Sequence, residues 1–93
     1  MIFVSYSWRD RAVAARLVAR MRQLELPYWI DDEQLDLDQE LERQILHGLA
    51  QSSALLLLAS PTSWNSPWVQ FEVTSAIRLG RPLHYLKVPE FTV

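Results

Sequence analysis

Within the stretch SPWVQFEV, residues 66–73, Trp68 and Glu72 stand four apart. On a helix that spacing projects both side chains onto one face, about 40° from each other. Val69, Val73, Ala76 and Ile77 fall on the adjoining apolar stripe. The pattern places Glu72 at a seam between a buried and an open face. Partial loss of water raises the pKa of a carboxylate there, and such a group steadies a cation that develops beside it. Between Arg43 and Arg78, Glu72 alone carries a full charge at neutral pH. The competing reading is a structural ion pair, to Arg78 on the same helix or to an arginine of the first helix.

Other chemistries find less support. The acidic run DDEQLDLDQE, residues 31–40, lacks the glycine and the distal glutamate of a calcium loop. His47 and His84 stand alone, without metal-ligand spacing, so no metal is expected. No histidine neighbours Ser5, Ser7 or Ser60, and no elbow glycine pattern marks a serine hydrolase. Gly48 and Gly80 are the only glycines, so no phosphate-cradling loop is present.

The elements that must position Glu72 alternate. Met1–Ser5 reads as a buried strand and Tyr6–Arg9 as a polar turn. Asp10 then caps a helix over 11–25, with Val13, Leu17, Met21 and Leu24 at helical spacing and Pro27 as its stop. Pro27–Ile30 is a second short strand. After the acidic loop, Asp36 or Asp38 caps a helix over about 39–51, with Leu41, Ile45 and Leu49 inward. Ser53–Ser60, SALLLLAS, is apolar on both faces, as in the centre of a parallel sheet. Residues 61–65 read as a loop. Ser66 caps the last helix, Pro67 suits its first position, and Gly80 closes it after Leu79. Leu83–Val88 is the fourth strand. Alternation of this kind implies an α/β fold: a parallel sheet with helices on both faces. Ligands gather beyond the carboxyl ends of such strands. Those segments are Tyr6–Asp10, Asp31–Asp38 and Ser60–Ser66.

A chain of 93 residues makes one domain with a thin core. It has no cysteine, and its N-terminus has no signal-peptide pattern. The longest apolar run, Ala54–Ala59, is far short of a membrane span. These features read as a soluble, cytoplasmic protein. The net charge is −2, unevenly spread. Arg9, Arg11, Arg16, Arg20 and Arg22 face only Asp10 in the first 24 residues, whereas residues 25–42 are acidic without a base. The two blocks pair within the chain, meet between copies, or form solvated helix faces. The basic block is too small, beside so acidic a neighbour, to suggest nucleic acid.

Three separated pieces carry a family resemblance: FVSYSWRD, YWIDDEQLDLDQELERQI and LLLLASPTSWNSPWVQFEV. Together they resemble the Toll/interleukin-1 receptor (TIR) domain family, its bacterial members more than the animal adaptors. The last piece, a strand-ending serine followed by S-x-W-x-x-x-E, is the most specific. The resemblance implies a flavodoxin-like sheet, here shortened to four visible strands in a single domain over 1–93. Family members usually continue through a fifth strand and a closing helix, and carry a Pro-Gly pair where this chain has Leu37-Asp38.

The resemblance also implies one of two activities. Many members cleave the nicotinamide–ribose bond of NAD, releasing ADP-ribose or a cyclised product; others only assemble with like domains. In the enzymes the helix glutamate is the key residue, a role that falls on Glu72. Ser7, Trp8, Arg9 and Asp10 fall where the family lines the nicotinamide and ribose pocket. Trp29, Asp31 and Asp32 open the loop over it, and Trp68 walls it. With so few glycines, a NAD site here is not of the Rossmann kind. The expectation is a NAD glycohydrolase of a bacterial defence or signalling system, activated by self-assembly, with NAD as substrate and no other cofactor. The alternative is a non-catalytic interaction module. A receiver-like domain is disfavoured because Ser60 stands where a phosphate-accepting aspartate is needed.

Overall fold

A computed structural model describes residues 1–30 and 39–88. Four strands form one parallel sheet: β1 (Ile2–Ser5), β2 (Tyr28–Ile30), β3 (Ala54–Ala59) and β4 (Leu83–Lys87). Their order across the sheet is β2-β1-β3-β4. The register sets Phe3 beside both Trp29 and Leu55, so these three share one face. Two-faced apolarity puts β3 inside, as its sequence implies. β4 forms an edge of the described sheet, and every one of its residues is exposed.

The helices are α1 (Arg11–Gln23), α2 (Gln39–Gln51), the single turn α3 (Pro61–Trp64) and α4 (Pro67–Arg78). Alternation along the strands splits the core into two layers. Phe3, Leu55 and Leu57 pack against Ile45 and Leu49 of α2 and Val69 and Ala76 of α4. Tyr6 and Leu58 face the other way, onto Ala14, Val13 and Leu17 of α1. The sheet therefore separates α1 from α2 and α4, a flavodoxin-like α/β arrangement.

Several local expectations change. Asp10 does not cap α1; its side chain is engaged elsewhere. The helix stops before Pro27, because Glu25 takes a left-handed backbone at φ 56° and Leu26 N–H closes onto Met21 O. Its buried positions are Ala14, Val18 and Met21, whereas Leu24, at the C-terminal cap beyond the helix, is exposed. The expected loop at 61–65 is largely α3, closed by a reciprocal Ser60–Ser63 capping box. The start of α4 follows expectation: Ser66 Oγ accepts from Val69 N–H, with Pro67 at the first position. Gly80 ends the segment at φ 70°, a conformation that glycine adopts without strain. Asp36 and Asp38, the candidate caps of α2, lie outside the described residues.

Candidate active site at the mouth of β1 and β3

Helix α4 is turned so that Trp68, Val69, Glu72, Ser75 and Ala76 face inward. Ile77, which apolar counting sets on the inner stripe, is 60% exposed. Glu72 therefore sits in the middle of the buried face rather than at a seam, with 1% of its surface exposed. Burial of a carboxylate is costly without donors, and two are at hand. Ser5 Oγ donates to Glu72 Oε1 at 2.7 Å, and Trp68 Nε1 donates to Oε2 at 3.1 Å. Ser5 follows Phe3 by two residues on β1, so it points to the same side of the sheet. The four-residue spacing brings the Trp68 indole down onto Glu72 from the preceding turn.

Above this buried trio, the segments leaving β1 and β3 are tied by hydroxyls. Asp10 Oδ2 accepts from Ser7 Oγ at 3.0 Å, by a short bond from Ser60 Oγ, and more distantly from Thr62 Oγ1. Ser7 Oγ also lies 2.8 Å from Thr62 Oγ1, and Ser60 Oγ lies 3.0 Å from it. Three hydroxyl protons serve five contacts, so lone pairs are left over in the cluster. The carboxylate that the sequence offered as a helix cap instead joins the first strand's turn to the third strand's.

A cavity of about 320 Å³ opens beside that cluster, lined by Ser7, Trp8, Arg9, Thr62, Ser66 and Pro67. Ser7, Trp8 and Arg9 are thus brought together, with Asp10 next to them. The Arg11 guanidinium lies 4.4 Å over the Trp8 ring and donates to Trp8 O, which pins the indole. Among the described residues Glu72 is not part of this wall. It lies five residues beyond Pro67, about 8 Å along the helix axis, with Trp68 between. A second, larger cavity of about 500 Å³ lies between the ends of β3 and β4, bordered by Ser60, Trp64, Tyr85 and Lys87.

Trp29 goes elsewhere. Its ring meets His47 edge-on at 6.0 Å and lies over Gly48, where a Cβ would come within 2.5 Å of it. The indole packs on α2 and not beside Ser7. Asp31 and Asp32 lie outside the described residues. Among the described residues no cluster of His, Cys, Asp or Glu could hold a metal ion, and no helix is long and apolar enough to cross a membrane.

Ser5, Ser60 and Thr62 were not singled out as site residues from the sequence, although residues 60–66 form one of the segments expected beyond the strand ends. The signal for Ser5 was present: a small polar residue on the buried face of an apolar strand needs a polar partner. Which partner it finds depends on the crossover that brings α4 beneath β1.

The fold has solved counterparts. The crystal structure of the TIR domain of the Toll-related receptor TRR-2 from Hydra magnipapillata matches with a TM-score of 0.75. The match covers 99% of this chain and 73% of that one, at 15% identity, which bears on the fold alone. None of the curated proteins matches the sequence significantly. The family model for the TIR domain matches residues 2–89, nearly the whole sequence. The chain belongs to the TIR domain family.

Proposed function

We propose that this TIR domain cleaves the nicotinamide–ribose bond of NAD when copies of it assemble, in a bacterial defence or signalling system. One observation carries the reading: the Glu72 carboxylate is buried and held by Ser5 at the end of β1 and by Trp68, while a cavity lined by Ser7, Trp8 and Arg9 opens at the residues that follow β1. Nicotinamide on ribose is a pyridinium. When its C–N bond breaks, the bonding pair stays on the nicotinamide nitrogen, which leaves neutral and needs no acid. The ribose carbon becomes oxocarbenium-like, and one carboxylate steadies it. Water then adds to that carbon and releases a proton, or a nucleophile of the substrate closes a ring. A second carboxylate, which glycosidases use to protonate poorer leaving groups, has no task here.

In this reading Trp68 is the moving part. Rotation of its indole away from Oε2 uncovers Glu72 toward Pro67 and the cavity. Arg9 meets the diphosphate, the free face of Trp8 meets the nicotinamide, and Ser7 and Asp10 fix the floor. Asp31 and Asp32, which lie outside the described residues, are the remaining candidates for substrate contact.

A second reading, an interaction module without chemistry, is favoured by the 1% exposure of Glu72, which suits a purely structural role. Nicotinamide release at high protein concentration separates the two. The enzymatic reading expects release by the wild type and none by folded Glu72→Gln. Equal release by both proteins, or none from any assembled state, rejects it.

A further inference from the structure

The cavity between the ends of β3 and β4 takes no part in the proposed reaction. Its volume of about 500 Å³ lies within the roughly 300–1,000 Å³ usual for small-molecule sites. It shares no lining residue with the cavity beside Ser7. Ala59, Pro61 and Val88 give it an apolar lining, and Trp64, Tyr85 and Lys87 add two rings and one cation. Tyr85 and Lys87 stand two apart on β4, so both point to one side of the sheet, with their roots about 6.5 Å apart. The register sets Tyr85 beside Leu57, which packs in the layer of α2 and α4, so the pair stands on that side.

Trp64 faces a different constraint. It ends α3, a turn held by the Ser60–Ser63 capping box, by Asn65 Nδ2 donating to Pro61 O and by Gln70 Nε2 donating to Trp64 O. The backbone is thus fixed while the indole is 59% exposed. Tyr85 is more exposed still. Large rings left in water around a concavity mark a surface that a ligand covers. Among the described residues the Trp64 Nε1, the Tyr85 hydroxyl and the Lys87 ammonium have no hydrogen-bond or ionic partner, and no acidic residue lines the cavity. Ser60, which also borders it, already donates to Asp10. The site therefore offers two aromatic faces, three donors and one positive charge.

We infer that this cavity binds a planar aromatic anion whose charge is joined to the ring through a spacer, the form of a nucleoside monophosphate. The ring stacks against Trp64 and Tyr85. The phosphate takes Lys87, one strand repeat away from the tyrosine, in a charge-assisted hydrogen bond. This site stands independently of any activity toward NAD.

Isothermal titration calorimetry with AMP tests it, with adenosine and inorganic phosphate as its separate halves. The wild-type chain is expected to bind one AMP with half-saturation at or below about 1 mM. Adenosine and phosphate should each bind at least about tenfold more weakly, since each lacks one set of contacts. Tyr85→Ala, Trp64→Ala and Lys87→Met should each weaken AMP at least about fivefold. Lys87→Arg should retain binding, and Arg9→Ala, in the other cavity, should bind like the wild type. Melting curves confirm that the variants are folded, and Trp64→Leu and Lys87→Gln replace any that is not. No saturation by about 10 mM AMP, phosphate or adenosine alone binding as well as AMP, or Tyr85 and Lys87 variants that bind like the wild type overturns the inference. Loss of binding in Arg9→Ala alone puts the nucleotide in the cavity beside Ser7 and overturns it too.

Discussion

Glu72 is the residue on which most depends, and its surroundings set what its replacement costs. Glu72→Ala leaves the Ser5 hydroxyl and the buried Trp68 N–H without this acceptor and opens a void. A loss of about 3 kcal/mol in denaturant unfolding is expected, from about 1–3 kcal/mol per stranded group. Glu72→Gln keeps the volume and one acceptor but turns an N–H₂ group toward one of the two donors. About 1–2 kcal/mol is expected there. If both substitutions proved neutral in unfolding, the described hydrogen bonds would not hold the carboxylate. The choice of variant matters, since a domain of this size has only about 5–14 kcal/mol of stability in total. Loss of activity in Glu72→Ala alone would not separate catalysis from folding. Trp68→Phe complements it: an aromatic ring stays, the N–H donor and part of the buried ring volume go, and a cost of about 1–3 kcal/mol follows.

At the scale of elements, α2 and β4 invite opposite expectations. Gly48 lies inside α2, where alanine ordinarily gains about 1 kcal/mol in helix propensity. Here the Cβ would run into the Trp29 ring, and overpacking of that kind costs about 1–3 kcal/mol. Gly48→Ala is therefore expected to lower the melting temperature, with a change in Trp29 fluorescence as the ring is displaced. A higher melting temperature with unchanged fluorescence would show that the ring does not lie over this helix. In β4, Tyr85 is 73% exposed, so Tyr85→Ala should change stability by no more than about 0.5 kcal/mol. Leu55→Ala, one strand inward and fully buried, should cost about 2–5 kcal/mol. The caps belong to this scale too. Ser66→Ala removes the acceptor for Val69 N–H and should cost about 1 kcal/mol.

At the scale of the molecule, the sheet insulates one face from the other. It leaves α1 basic and the start of α2 acidic, and it gathers the ends of β1 and β3 around Asp10. The sequence by itself determined the types of the four strands and the three long helices, the parallel sheet and the candidacy of Glu72. Those rest on local physics: two-faced apolarity in SALLLLAS, Ser66-Pro67 at a helix start, Gly80 at its end, and a charge isolated in an apolar stretch. Tertiary structure alone decided which way each face turned. Apolar counting set Ile77 inside and Glu72 at the margin, because it takes no account of a polar partner on another element. Ser5, 67 residues away in the chain, supplies that partner and draws Glu72 fully inward. Asp10 likewise had a local use as a cap, but it is taken up by the Ser7 hydroxyl nearby and by the Ser60 and Thr62 hydroxyls from a distant segment. A polar group's position depends on who arrives to satisfy it, and crossovers settle that only after the chain has folded.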